Sequence, residues 1–300
     1  MKAPTFSISR CSLHDGNGIR TVVYCKGCPM HCLWCHNPES HNTRPEILFY
    51  PDRCIGCGRC LSCCPQSAHT AANDNTHIMN RSLCTACGIC ADNCPSGALM
   101  LCGKNMDVES VMDAIMRDKP YFERSNGGVT FSGGECLLYP EFLKEVMLKC
   151  KANKINTAIE TALHISWENI APLITLTDTF YCDVKHSESE THRKLTGVGN
   201  ELILENLFRL SSIHQNIIVR IPLIPQLNDD DENLKKTAVL ISKCSGVQGI
   251  ELLKYNHLSS GKNAALGKEF QAFGQPQSDE EIERKKSVIA QVLPKNKFVL

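Results

Sequence analysis

Cysteine is the residue type in this chain best able to do chemistry, and its spacing decides which chemistry. The 300 residues hold nineteen cysteines, fourteen of them between Cys11 and Cys94. Eight form two copies of one run, thirty residues apart. Cys54, Cys57, Cys60 and Cys64 precede Pro65, and Cys84, Cys87, Cys90 and Cys94 precede Pro95, each reading C-x2-C-x2-C-x3-C-P. Three thiolates at i, i+3 and i+6 in a tight loop surround one iron–sulfur cube, while the fourth, before proline, turns toward the other cube. The repeat predicts two [4Fe–4S] clusters with crossed ligation: Cys54, Cys57, Cys60 and Cys94 on one, Cys84, Cys87, Cys90 and Cys64 on the other. Cys63 competes with Cys64 but lacks its Cys-Pro context. Two structural zinc sites are the alternative use of eight thiols. Zinc loops pair short two-cysteine units across a gap, and four cysteines within eleven residues fit that poorly.

A third set, Cys28-Pro29-Met30-His31-Cys32-Leu33-Trp34-Cys35, has three cysteines spaced C-x3-C-x2-C. Three ligands on a four-iron cube leave one iron open, and an open coordination position is where a substrate or cofactor binds. The set predicts a catalytic cluster, distinct from the two closed ones. Cys11, Cys25, Cys63, Cys102, Cys150, Cys182 and Cys244 belong to no motif and read as inert thiols. Cys136 reads as a small buried filler beside the site.

Something must position these loops. Lys+Arg 32 against Asp+Glu 32 leaves no net charge, so no global positive field favours nucleic acid or an anionic membrane as a partner. No apolar run approaches the roughly 18 residues of a membrane span. The start, Met1-Lys2-Ala3-Pro4-Thr5, lacks the apolar stretch of a secretory signal, so a cytoplasmic, reducing location without disulfides is expected. After residue 104, apolar strands alternate with amphipathic helices, as in parallel α/β structures. Strands are predicted at 21–25, 129–131, 158–160, 180–183, 217–221 and 250–253. Helices are predicted around 108–116, 141–151 and 233–242. Six βα units fall short of the eight that close a barrel. The fold class is therefore α/β: an incomplete (β/α)6 TIM-type barrel with an inserted bacterial-ferredoxin-like domain. Residues 1–48 form the first part of the core, with strand 1 and the cysteine loop. Residues 49–104 form the two-cluster insert, and 105–300 the rest of the barrel. Polar or glycine-rich groups follow the strands at Ser132-Gly133-Gly134-Glu135, Glu160-Thr161, Asp183-Val184-Lys185, Arg220 and Tyr255-Asn256. Barrel active sites form at that end of the strands.

These residues make the chain similar to the radical S-adenosylmethionine enzymes, and within them to the glycyl-radical-enzyme activating enzymes, over nearly its whole length. The resemblance rests on Asp15-Gly16-Asn17-Gly18-Ile19-Arg20-Thr21, the cysteine loop with His36-Asn37-Pro38-Glu39, the Ser-Gly-Gly-Glu run and Asp183-Val184-Lys185. It implies three [4Fe–4S] clusters and S-adenosylmethionine chelated to the open iron of the cluster on Cys28, Cys32 and Cys35. One electron then cleaves the sulfonium, giving methionine and a 5′-deoxyadenosyl radical that takes a hydrogen atom from a glycine of a partner glycyl radical enzyme.

The resemblance also assigns contacts. The cofactor is expected to meet Trp34, Cys35, His36, Gly133, Gly134, Glu135, Asp183, Val184, Lys185 and Asn256, with His257 the neighbouring alternative to Asn256. Trp34 and His36 flank Cys35 and pack on adenine, although Trp34 also reads as core. Gly133 and Gly134 let backbone carbonyls approach the methionyl ammonium, Glu135 adds a counter-charge, and Lys185 pairs with the carboxylate. A monovalent cation is expected at Glu160, Thr161 and Asp183. Asp15 or Arg20 would touch the partner's glycine loop, and flavodoxin or ferredoxin would supply electrons to the insert. The chain departs from the family pattern at Asn17, Cys136, Glu160 and Lys254, none of which is an expected iron ligand. Two readings compete: a radical S-adenosylmethionine enzyme acting on a small molecule, and a ferredoxin-like electron-transfer or binding protein.

Overall fold

The computed structural model describes residues 1–73, 76–294 and 296–300. Strands β1 (Lys2–Ser12), β2 (Arg20–Cys25), β3 (Glu46–Phe49), β4 (His69–Ala71), β5 (His77–Met79), β6 (Leu99–Cys102) and β7 (Lys104–Asp107) come first. Then follow β8 (Gly128–Gly133), β9 (Asn156–Thr161), β10 (Thr179–Asp183), β11 (Ile217–Pro222), β12 (Val247–Leu253) and β13 (Phe298–Val299). Nine of these make one sheet in the order β13-β12-β11-β10-β9-β8-β2-β1-β7. The six strands from β2 to β12 run parallel and coincide with the six that the sequence predicts. The sheet does not close: β7 and β13 are its edges among the described residues. β1 and β7 extend it antiparallel beyond β2, and the two-residue β13 adds a parallel edge.

Parallel strands buried on both faces need helices over them. Val108–Arg117 is one such helix. Asp107 caps it by accepting from the Ser110 amide at 2.8 Å, and Val108, Val111, Met112 and Ile115 are buried along one face. Its end is pinned by Asp118, which accepts from the Arg10 guanidinium (2.9 Å from Nε) and the Thr21 hydroxyl (2.5 Å). Pro140–Ala152 and Asp231–Ser242 supply further cover, within a residue or two of their predicted limits.

The helix Ser189–Thr196 carries a histidine whose protonation state matters for stability. His192 is buried; its Nδ1 is 2.6 Å from the Val198 carbonyl, while Nε2 has no partner among the described residues. A proton added at Nε2 would be a buried charge without an acceptor, and burial holds the pKa down at about 4, against about 6.5 in an unfolded chain. The stability contributed by the neutral ring is complete above about pH 6.5 and is lost as pH falls toward the folded value, by up to about 1.4 kcal/mol per pH unit. His192→Asn, which keeps an N–H for Val198, should therefore show a flatter fall in Tm between pH 6.5 and 4.5 than the parent chain.

The cysteine-rich segment folds around little apolar material. β3 pairs with β6, beginning at Glu46, and β4 with β5. Five residues, Ile47, Phe49, Cys90, Ala98 and Leu99, form its buried cluster, with Cys54, Cys60, Cys63, Cys84 and Cys94 packed against them. A core of that size needs a further staple such as a metal centre. The sequence repeat is also a structural one. Gly58 and Gly88 take the left-handed conformation, φ 69° and 85°, and each starts a short helix, Arg59–Cys63 and Ile89–Asp92. Buried Lys26 fastens the segment to the barrel by donating to the Glu39 carbonyl (2.6 Å) and the Glu46 carboxylate (2.8 Å). Arg81 donates to the carbonyls of Ile47 and Ala265 from the opposite side.

Candidate functional site

The parallel register places chemically active residues at one end of the sheet. Cys25 lies beside Gly133, Cys182 beside Thr161, Asp183 beside Arg220, and Arg220 beside Glu251. The sheet curls enough that residues following β2 and residues following β12 line one cavity of about 240 Å³. Cys28, Cys32 and Cys35 face it together with Trp34, His36, Gly133, Gly134, Glu160, Thr161, Asp183 and Lys185. Met30, Arg220, Ile224 and Tyr255 complete much of the wall.

The cysteine loop is gripped from two sides. The amides of His31 and Leu33 donate to the carbonyls of Thr196 and Leu195. Gly134 donates to the Cys25 carbonyl at 2.9 Å, and Glu135 to Gly27 at 2.8 Å. The two glycines owe their size to this packing. A Cβ on Gly133, at φ 123°, would lie 2.2 Å from the Cys25 oxygen, and one on Gly134 would lie 2.2 Å from the Gly27 oxygen and 3.0 Å from the Cys28 Cβ.

No fourth cysteine is among the described residues that line this cavity. Cys25 and Cys136 are nearby but fully buried, and the Cys136 thiol points to the carbonyls of Phe131 and Glu160. All nineteen thiols are free of disulfides. Burial pushes the Cys28 and Cys35 thiols up to about 12, so they ionise when a metal displaces the proton. This donor set fits a cube with one iron left for a non-protein ligand. The other eight motif cysteines fit closed clusters. Amides of Ala68, Ala86 and Leu99 donate to the sulfurs of Cys64, Cys84 and Cys94 at 3.3, 3.4 and 3.5 Å. Partial burial alone would raise the Cys94 pKa, but amide donors and the Ser96 hydroxyl outweigh it and the pKa falls. Cys54, Cys57, Cys60 and Cys94 line one common cavity.

Ion pairs of Lys185 and Arg220 dominate the polar wall. Lys185 Nζ is 2.6 Å from Asp183; burial would lower its pKa, but Asp183 outweighs it and the pKa rises. Arg220 bridges Glu160 and, at 2.6 Å, Glu251, and its guanidinium stacks 4.1 Å over the Tyr181 ring. Trp34 is both wall and core, packed with Leu195, Ile224 and Tyr255. Asp183, Glu160 and Thr161, the expected cation ligands, share the cavity, but each has an internal partner: Lys185, Arg220 and Glu135 respectively.

Several expected contacts lie elsewhere. Glu135 is not on the wall. Its carboxylate sits behind the glycines, accepting from the Thr161 hydroxyl (2.8 Å) and the amides of Leu137 and Ala162 (both 3.2 Å), and burial pushes its pKa up to about 7. It braces the loop instead of adding a counter-charge to the cavity. Val184 is turned into the core. Asn256 closes a local turn by accepting from the Leu258 amide at 3.1 Å, and His257 reaches the Gly274 carbonyl, so Tyr255 lines the cavity in place of both. Arg20, the first residue of β2, is buried and engaged by Thr130, Asn156 and the Val129 carbonyl, which makes it a structural strut and leaves it off the cavity wall.

An open, mostly parallel sheet with a three-thiol loop at its carboxyl end defines the class of enzymes that use S-adenosylmethionine for radical chemistry. The Radical SAM superfamily model matches residues 82–238, and a 4Fe-4S dicluster domain model matches residues 53–98. The (2S)-3-sulfopropanediol dehydratase activating enzyme of Klebsiella oxytoca is 40% identical over 268 residues, covering 87% of this chain and 84% of that protein. The choline trimethylamine-lyase activating enzyme of Oleidesulfovibrio alaskensis is 38% identical over 294 residues, covering 96% and 95%. Among solved structures, Streptococcus suis SuiB bound to precursor peptide SuiA shares the fold, with TM-score 0.52 and 12% identity over 66% of this chain and 43% of that one. The chain belongs to the activating enzymes of glycyl radical enzymes, within the Radical SAM superfamily. Enzymes of this family use S-adenosylmethionine radical chemistry to generate a glycyl radical. Among the described residues, no helix is long and apolar enough to cross a membrane.

Proposed function

We propose that Cys28, Cys32 and Cys35 hold a [4Fe–4S] cluster whose fourth iron takes S-adenosylmethionine, and that the chain thereby activates one partner glycyl radical enzyme. The observation that carries this reading is the cavity with three thiols of one loop and, among the described residues, no fourth cysteine on its wall. When bound, the cluster and cofactor supply the electron and the hydrogen-abstracting radical. The chain's own residues bind, orient and exclude water. Lys185, held by Asp183, offers its ammonium to the cofactor carboxylate. Gly133 and Gly134 keep the backbone of the opposite wall close, Trp34 and His36 present rings to the adenine, and Tyr255 supports Trp34. Lys185 and Arg220 already neutralise Asp183 and Glu160, the work otherwise given to a monovalent cation. Met30, Ile224 and Leu253 exclude water, and the unclosed side of the sheet admits a glycine loop.

Residues 49–104 form the bacterial-ferredoxin-like insert in this reading. Its two clusters, on Cys54, Cys57, Cys60 and Cys94 and on Cys84, Cys87, Cys90 and Cys64, take electrons from flavodoxin or ferredoxin. Anaerobic co-expression with candidate lyases, read by electron-spin resonance, tests the reading. A glycyl-radical doublet on one lyase that disappears without this chain is the expected result. Cofactor cleavage with a silent spectrum across those lyases would point to a small-molecule substrate instead.

A further inference from the structure

Two histidines of the cysteine-rich segment, His69 and His77, are used by neither the cofactor cavity nor the expected iron ligation. They stand on the β4–β5 hairpin with their rings together: His69 Nδ1 is 2.9 Å from His77 Nε2. The His77 ring lies between two sulfurs of one cluster set, with Nδ1 3.8 Å from Cys54 Sγ and Nε2 3.6 Å from Cys60 Sγ. Phe49 packs on the same ring, centroid to centroid 4.4 Å, and His69 is buried. The other set is treated differently. Among the described residues, both sets receive backbone amides, Leu99 on Cys94 in the first and Ala68 and Ala86 on Cys64 and Cys84 in the second, but no histidine nitrogen lies within hydrogen-bonding distance of Cys64, Cys84, Cys87 or Cys90.

Two imidazoles 2.9 Å apart share one N–H, so one donates and the other accepts. If His77 donated from Nε2, its Nδ1 lone pair would face the Cys54 thiolate, which repels it. If His69 donates from Nδ1, the His77 proton sits on Nδ1 and points at Cys54. Nε2 also lies 3.6 Å from Cys60 Sγ, but in the second arrangement its lone pair is taken by the His69 N–H, whereas the first leaves the Nδ1 lone pair against Cys54 with no donor; the second is therefore favoured. Hydrogen bonds to cluster sulfurs raise a cluster's reduction potential, because the donor dipole stabilises the more negative, reduced state. We propose that His77, oriented by His69, is a positioning residue that holds the cluster on Cys54, Cys57, Cys60 and Cys94 at a higher reduction potential than its neighbour in the insert. This inference rests on the two-cluster reading given above.

The test is an anaerobic redox titration of the reconstituted full chain, monitored by electron-spin resonance. His77→Phe keeps a ring beside Phe49 and removes the donor. At the potential that half-reduces this cluster in the parent chain, the reduced-to-oxidised ratio is expected to fall about tenfold, about 59 mV for a one-electron couple, with the other two clusters unmoved. His69→Phe, which removes only the orienting partner, should shift the same cluster in the same direction by less, and His77→Gln should recover part of the loss through its amide donor. An unmoved midpoint in His77→Phe, or equal movement of both insert clusters, overturns the inference. So does zinc binding by the parent chain at Cys60, His69 and His77, whose ligand atoms lie within 4.8 Å of one another, in place of iron. If His77→Phe loses iron, His77→Gln and His69→Phe decide by the same midpoint. Iron content separates the two failures. About four irons per parent chain instead of about twelve would sink the two-cluster reading, whereas about twelve with unmoved midpoints sinks only the histidine assignment.

Discussion

Cys32→Ala is expected to reduce S-adenosylmethionine cleavage to background, while Cys57→Ala leaves cofactor binding intact and slows reduction. The contrast follows from where the two thiols sit. Cys32 lines the central cavity, and its backbone is fixed on either side by the amides of His31 and Leu33 on Thr196 and Leu195. Alanine therefore removes the sulfur without moving the loop. No other cysteine among the described residues lines that wall to replace it, so a cube there keeps two protein ligands and is lost. Cys57 is exposed in the other segment and shares a cavity with Cys54, Cys60 and Cys94. The measurement is iron content and 5′-deoxyadenosine formed after anaerobic reconstitution with dithionite and S-adenosylmethionine. Cys32→Ala should lose about four irons of about twelve and the product with them. Cys57→Ala should still bind the cofactor and form the product more slowly when electrons arrive through a protein donor. Equal loss of cofactor binding in the two variants would contradict the assignment of separate roles.

Most of what positions the site was legible in the sequence because it is local. The six parallel strands are short apolar runs with a polar group at their carboxyl ends, and the cysteine runs carry their own spacing. What failed depends on chain direction after a strand. Asn256 and Tyr255 are adjacent, but only the turn closed by Asn256 on the Leu258 amide decides which one faces the cavity. Glu135 reads as a free charge after two glycines, yet three donors on other segments capture it. Strands β1, β7 and β13 were missed for a different reason. β1 alternates imperfectly and is partly exposed along much of its length, and β7 and β13 are short edges of four and two residues. Arg220 had a usable signal. It is a charge inside a buried strand, at the same level as Glu251 on β12, while Glu160 on β9 lies level with Tyr181 on β10, the ring under the guanidinium. A charge that would be costly to bury alone asks for partners on the neighbouring strands.

Gly134→Ala is expected to cripple the enzyme although it adds one methyl group and replaces no iron ligand. The added carbon would sit 2.2 Å from the Gly27 carbonyl oxygen and 3.0 Å from the Cys28 Cβ. The first obstacle is backbone, which cannot rotate away as a side chain does. Gly27 is further held because its amide donates to Ser40 at 2.6 Å and its carbonyl accepts from Glu135 at 2.8 Å. Relief therefore requires the start of the cysteine loop to move away from β8 by the order of 1 Å, carrying Cys28 with it. Overpacking of this kind costs about 1–3 kcal/mol of stability, and a displacement of about 1 Å at a reacting centre costs about 10²-fold in rate. Cofactor cleavage should fall by about that factor with a Tm lower by several degrees. The control is Gly261→Ala, where a Cβ meets nothing within 4 Å and the helix Ser260–Ala265 gains a better helix former. That variant should keep full cleavage and an equal or higher Tm. Full activity in Gly134→Ala would mean that the cysteine loop tolerates displacement from the glycine pair, and the close backbone contact would lose its role in holding Cys28 at the cavity.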